Sequence, residues 1–143
     1  MNIALSIPNI IYLFICTFFF ILFFQSALDK ILNKKDNLDW LNSHFKSSIL
    51  SNSVPLLFFS LTILELISSI LFLINIVNIF IEIRFYFLNP ILAFCLSMFT
   101  FLCLFFGQRI AKDYEGAKTI AIYFTLNILV IIFIFEYMDL KLI

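Results

Sequence analysis

Nine Lys and Arg and nine Asp and Glu are spread over 143 residues, and of these eighteen side chains only Glu65 lies deep inside an apolar run. Insertion scales put a charge at the centre of a bilayer at about 2.5–3.5 kcal/mol, so such a carboxylate must face protein or hold a proton. Glu65 stands ten residues beyond Pro55. At about 1.5 Å per helical residue that is about 15 Å, the middle of a hydrocarbon core about 30 Å thick. The same count from the other helix ends places Asn127, Ser97, and Cys16 with Thr17 at a similar depth, while Thr62, Ser68 and Ser69 flank Glu65 at i−3, i+3 and i+4. The pattern predicts a polar layer in the core of a helical bundle, with Glu65 facing Asn127 and Ser97 and with Thr17 contributing from the first helix. Two readings follow. The layer is hydrogen-bonded glue between helices, at about 0.6–1.7 kcal/mol per bond. Alternatively it lines a small pocket in which Glu65 accepts a proton or holds a lipid-soluble ligand.

A second group of candidates falls between residues 106 and 118, Phe-Gly-Gln-Arg-Ile-Ala-Lys-Asp-Tyr-Glu-Gly-Ala-Lys, which contains both glycines of the chain, Gly107 and Gly116. In so glycine-poor a sequence this concentration points to backbone demands, either tight turns or the close approach of another segment. Arg109 and Asp113 stand four apart and share a face if the helix continues through them. Paired, they would brace a cap at the membrane surface, and left free they would meet a partner. His44 is the single histidine, so a histidine-built metal site or a Ser-His-Asp arrangement has little to draw on. It reads as a solvated side chain at the membrane surface. Cys16, Cys95 and Cys103 form no CxxC pair and read as small packing residues. No metal site and no haem or nucleotide site is predicted.

Residues of these kinds need apolar helices to hold them, and the composition supplies little else. Apolar residues make up 64% of the chain and charged residues 13%, about half the charge of an ordinary soluble domain at about 25%. That excludes a soluble globular enzyme and a disordered tail, and the zero net charge leaves no basic footprint for nucleic acid. Four runs reach the length of about 20 apolar residues that a membrane helix needs: about 3–24, 55–80, 90–106 and 119–135. Backbone groups in lipid must pair within their own segment, so the runs are helices. Pro55 and Pro90 fall in first turns, where proline is tolerated, Asn89 is placed to cap the third run, and Pro8 bends the start of the first. The first run lacks an n-region Lys or Arg and an A-x-A site, so it reads as a retained helix and not a signal peptide. With 21 Phe and 25 Ile against 6 Ala and 2 Gly, the helices must pack through large side chains and polar contacts.

The connection from 25 to 54 is too long for a tight turn. In it Leu38, Leu41, Phe45 and Ile49 recur at helical spacing, with Asp36 or Asn37 placed to start a helix and Trp40 suited to the headgroup layer. The expected architecture is therefore all-α: a single domain over 1–143, a transmembrane four-helix bundle with a short amphipathic interfacial helix between its first two spans. Lys30, Lys34, Lys35, Lys46, Arg109, Lys112 and Lys118 lie in the first and third connections, against Arg84 and Lys141 on the other side. This places those two connections in the cytoplasm and both termini outside.

Three stretches also resemble a known family. Phe24-Gln25-Ser26-Ala27-Leu28-Asp29-Lys30 is similar to the "small residue, two more, Lys" signature of the DoxX family, with Ala27 where glycine is common. Leu64-Glu65-Leu66 after Pro55 resembles its Pro…Leu-Glu second helix, although Ser68 and Ser69 stand where glycines usually follow. Gly107-Gln108-Arg109 with Asp113-Tyr114 and Gly116-Ala117 resembles the third loop of its bacterial members. The resemblance covers about residues 10–135. It implies a four-helix protein of the bacterial inner membrane, an accessory or anchor subunit of a redox-associated, quinone-linked membrane system with quinone as its cofactor. Animal relatives of that family act as assembly factors, so a non-enzymatic scaffold for another membrane protein is the alternative the resemblance carries. Lys30, Glu65, Arg109 and Asp113 are the matching positions to test first. Small-solute transport fits less well, since the predicted spans lack the broken helices of transporters.

Overall fold

A computed structural model describes residues 7–80 and 90–137. Asn89, Arg84, Lys141 and the expected start of the first span at Ile3 lie outside the described residues. The elements are helices in the order α1 (Ile7–Leu32), α2 (Lys34–His44), a 3-10 turn (Ser51–Ser53), α3 (Val54–Phe80), α4 (Ile91–Ile110) and α5 (Tyr114–Tyr137). Four of them, all but α2, are long and apolar enough to cross a membrane. The chain is an integral membrane protein built as an all-α four-helix bundle.

The helices overrun the apolar runs. α1 continues to Leu32 instead of ending near residue 24, and α4 reaches Ile110 instead of 106. The reason is local. Gln25-Ser26-Ala27-Leu28-Asp29-Lys30 contains neither Gly nor Pro, so nothing stops the helix where the apolar stretch gives way to polar residues. Pro55 sits in the first turn of α3 and Pro90 immediately before α4, where a missing N–H breaks no intrahelical bond.

Each long helix buries one stripe. On α1 it is Tyr12, Cys16, Phe19, Phe23 and Ala27, steps of three and four that follow the helical period. On α3 it runs through Phe58, Thr62, Glu65, Ser69, Phe72 and Asn75. Lys30 lies against Glu65, and Phe19 and Phe23 lie against Phe72, so α1 and α3 are antiparallel. Asn127 meets Phe94 and Ser97 while Tyr123 stacks on Phe101, so α4 and α5 are antiparallel too.

The centre of the bundle is aromatic. Phe19 is fully buried and packs on Phe72 at 5.2 Å, on Phe94 edge-to-face at 5.9 Å and on Phe101 at 6.3 Å. Phe72 meets Phe94 at 5.0 Å, and Phe23 meets Phe101 at 5.2 Å. These are the offset and T-shaped contacts that ring quadrupoles favour. Buried small residues, Cys16, Ala27, Ser68, Ala93, Ser97 and Thr100, sit beside the rings. They do locally what glycines do in other membrane bundles. Truncating Phe19 to alanine should lower stability by about 3–5 kcal/mol. The Phe14→Ala change, on a side chain that is 70% exposed and faces outward, should stay within about 0.5 kcal/mol. Denaturation of both variants in the same detergent checks this, and equal losses would mean that the rings are not the core.

Candidate functional site

Glu65 is 1% exposed, and its partner is a cation at the end of α1. Lys30 Nζ donates to Glu65 Oε2 at 2.9 Å and Oε1 at 3.0 Å, and also to Ser26 Oγ at 2.8 Å. Ser26 Oγ in turn donates to Glu65 Oε1 at 3.1 Å. Ser26 and Lys30 are one turn apart on the buried face of α1, and a helical side chain leans toward the N-terminus. The four-carbon stem of Lys30 therefore runs back along its own helix and carries the ammonium into the bundle. All three ammonium protons have acceptors, and both carboxylate oxygens have donors.

This corrects the expected layer. Glu65 is held by Lys30 and Ser26, and no hydrogen bond joins it to Asn127 or Ser97. Asn127 Nδ2 donates instead to Ser97 Oγ and to the Phe94 carbonyl at 3.1 Å, and Thr17 returns its hydroxyl to Leu13 of its own helix at 2.8 Å. On α3, two turns, about 10 Å, separate Glu65 from Phe72, and it is Phe72 that packs on Phe94. The polar residues form two sites along the bundle, one an ion pair and one a neutral α4–α5 clamp. Counting depth from the ends of the apolar runs misplaced them: α4 reaches Ile110 and α5 starts at Tyr114, so Ser97 and Asn127 lie further from that end than the count gave. Lys30, counted from sequence among the charges of the first connection, belongs to the core pair. The available signal was the i, i+4 placement of Ser26 and Lys30 on the stripe already marked by Phe19 and Phe23.

The α4–α5 turn is also built differently from the expectation. α4 stops at Ile110, so Arg109 and Asp113 do not share a helix face and no ion pair joins them. Asp113 is the N-cap of α5: its Oδ1 accepts from the Gly116 N–H at 2.9 Å. Arg109 lies over the Tyr114 ring at 4.8 Å. The chain leaves α4 through a Schellman turn, with Asp113 N–H donating to Gln108 O at 2.9 Å and Lys112 N–H to Arg109 O at 3.2 Å. The left-handed residue this requires is Lys112, at φ 62°, and neither glycine has positive φ. A Cβ on Gly116 would lie 2.6 Å from Asp113 Oδ2 and 2.9 Å from Gln108 Cδ, whereas one on Gly107 would meet Phe45 at an ordinary 3.6 Å. Close approach therefore accounts for Gly116, and a turn conformation accounts for neither.

α2 spans this end of the molecule and has no fully buried residue of its own. It starts at Lys34, not at the expected Asp36 or Asn37. Asp29 anchors its start, taking hydrogen bonds from Asn33 at 2.7 Å and Asn37 at 3.0 Å. At its far end Phe45 is buried against Gly107, while Ile49, counted on the same stripe, lies beyond the helix and is 86% exposed. His44 is not free in solvent. It stacks on Trp40 at 4.6 Å, and its Nε2 lies 3.4 Å from Gln108 Oε1 and 3.7 Å from Asp113 Oδ2. Among the described residues no group of three His, Cys, Asp or Glu is placed to hold a metal. Cys16 is buried, Cys103 half-buried and Cys95 exposed, all as free thiols.

Comparison with known proteins finds no matching family model, no matching curated protein and no matching solved structure. The class that fold and site define is a membrane four-helix bundle with one buried ion pair among the described residues.

Two sets of variants test this construction. Lys30→Met leaves the Glu65 carboxylate, 2% exposed at its side chain, with the Ser26 hydroxyl as its remaining donor, and should cost about 3–5 kcal/mol. Glu65→Gln should cost less, because the Lys30 side chain is 17% exposed and retains some access to water. The double variant Lys30→Met/Glu65→Met should recover most of the loss. Melting curves in detergent decide, and strictly additive single losses would mean that the pair is not the source. At the turn, Asp113→Ala should cost about 0.5–2 kcal/mol as a lost cap, while Lys112→Gly should raise stability by up to about 1 kcal/mol by relieving the left-handed conformation.

Proposed function

We propose that this chain is a DoxX-like protein of the bacterial inner membrane, an accessory or anchor subunit of a redox-associated, quinone-linked membrane system. The α1–α3 connection and the α4–α5 turn face the cytoplasm in this reading. The observation that carries it is the Lys30–Glu65 pair. It joins the stretch 24–30 to the stretch 64–66, two of the three that carry the resemblance. The third, 107–117, lies at the same end of the bundle, where Phe45 packs on Gly107 and His44 meets Gln108. Segments distant in sequence thus converge on one end, as parts of a shared site or docking surface would.

The chemistry of the pair favours anchoring over turnover. With every donor of Lys30 and both oxygens of Glu65 engaged within the chain, a quinone carbonyl finds no free donor there. A quinone beside Glu65 does not fit, and in this reading the partner protein binds it. What the pair supplies is a rigid α1–α3 unit with its connection presented at the membrane surface.

Purification of the tagged chain from its own membrane in mild detergent tests the proposal. A flavin- or quinone-linked oxidoreductase should co-elute with wild type, with recovery reduced at least severalfold for Lys30→Met. A stoichiometric membrane partner without redox chemistry would replace this reading with that of an assembly factor or scaffold, and elution of the chain alone would remove both.

A further inference from the structure

Between α2 and the facing ends of α3 and α4 lies a cavity of about 280 Å³. Leu57 and Leu61 of α3 and Leu104 of α4 give it apolar walls, and α1 contributes Lys30. Its polar groups come mainly from Trp40 and His44 of α2 and Gln108 of α4. A water molecule takes about 30 Å³ of liquid, and ligand pockets begin near about 300 Å³. The space therefore suits one ring or a short chain segment, with any longer tail left outside.

We propose that this cavity is a binding site for an uncharged amphiphile, an apolar ring or short chain that ends in a hydroxyl or carbonyl oxygen. Charge excludes the alternatives. Lys30 is the one Lys, Arg, Asp or Glu among the lining residues, and its three protons are held by Glu65 and Ser26. A carboxylate or phosphate would have to displace Glu65, and an ammonium would meet a like charge. The polar groups select an acceptor oxygen. Gln108 engages His44 through Oε1 at 3.4 Å, and among the described residues no other protein group bonds its side chain or the indole N–H of Trp40, which is 54% exposed, so both residues line the cavity with N–H donors that no described residue takes up. The long His44–Gln108 contact is weak enough to rearrange around a bound oxygen. This proposal concerns the cavity beneath α2 alone and stands whether or not the chain serves a redox system.

The chain itself carries the probe. Cys103 lines the cavity, Cys95 is exposed and Cys16 is buried, so Cys16→Ala/Cys95→Ala leaves one reporting thiol and Cys16→Ala/Cys103→Ala leaves a control. The full-length protein in detergent is alkylated with a maleimide in the presence of 1-octanol, 4-hexylphenol, octanoate or octylammonium. The neutral pair should slow alkylation of Cys103 roughly tenfold at saturation and leave Cys95 unchanged, while the charged pair should do neither. The tighter of octanol and hexylphenol identifies a lipid-chain or a ring compound as the source. Gln108→Leu should weaken the effect roughly fivefold, the share of one neutral hydrogen bond, with the melting temperature kept as a check on folding. Leu61→Phe, which fills the space, should abolish it. Equal protection by octanoate, equal protection of Cys95, persistence in a folded Leu61→Phe variant, or no protection by any of the four would overturn the proposal.

Discussion

A carboxylate that is 1% exposed among apolar helices has to be neutralised by a proton or by a counter-charge within reach, and Glu65 uses the counter-charge. That requirement shapes one end of the molecule. It needs α1 to stay helical through Lys30, it needs Ser26 one turn earlier to share the load, and it brings the fourth turn of α3 beside the end of α1. With α1 extended to Leu32, the chain passes through Asn33 straight into α2, and Asp29 holds that bend with hydrogen bonds from Asn33 and Asn37. The position of α2 over the α4–α5 turn follows from where α1 stops.

Two kinds of adhesion divide the bundle along its length. The middle is held by interlocking phenyl rings, with Phe19 touching rings from α3 and α4. Its ends and flanks are held by polar contacts: the ion pair, the Asn127–Ser97 clamp, and Asn75 donating to the Pro90 carbonyl at 3.1 Å. Lipid offers helices no hydrophobic reward for association, so packing and hydrogen bonds must do the work. Rings supply large contact area at the cost of only two side-chain torsions each. This resolves how a chain with 2 glycines brings its helices together.

The candidate functional features sit at one end. The ion pair, the α4–α5 turn and the cavity bordered by α2 share it, and Lys30 belongs both to the pair and to the cavity wall. A rigid pair beside a partly open space is a sensible division of labour. The charged groups satisfy each other and fix the helices, and Trp40 and Gln108 are neutral polar residues of the cavity wall. Asp113 shows the same economy, capping α5 while facing His44.

Composition and periodicity alone determined the membrane class, the four long helices, a fifth short helix in the first connection and the position of Glu65 inside an apolar run. These are legible because burying an uninterrupted apolar run leaves the backbone only the helix, and because a lone intramembrane carboxylate has few innocent explanations. The partners were not legible. That Glu65 reaches Lys30 and not Asn127, that Arg109 stacks on Tyr114 while Asp113 caps α5, and that Lys112 takes the left-handed position in place of either glycine all depend on where helices end and how they face one another. A helix end is set by a balance of small terms, and a shift of α1 from residue 24 to Leu32 carries Lys30 from the surface into the core. Tertiary packing makes that choice, since only the assembled bundle shows which of several polar groups lies within hydrogen-bonding reach.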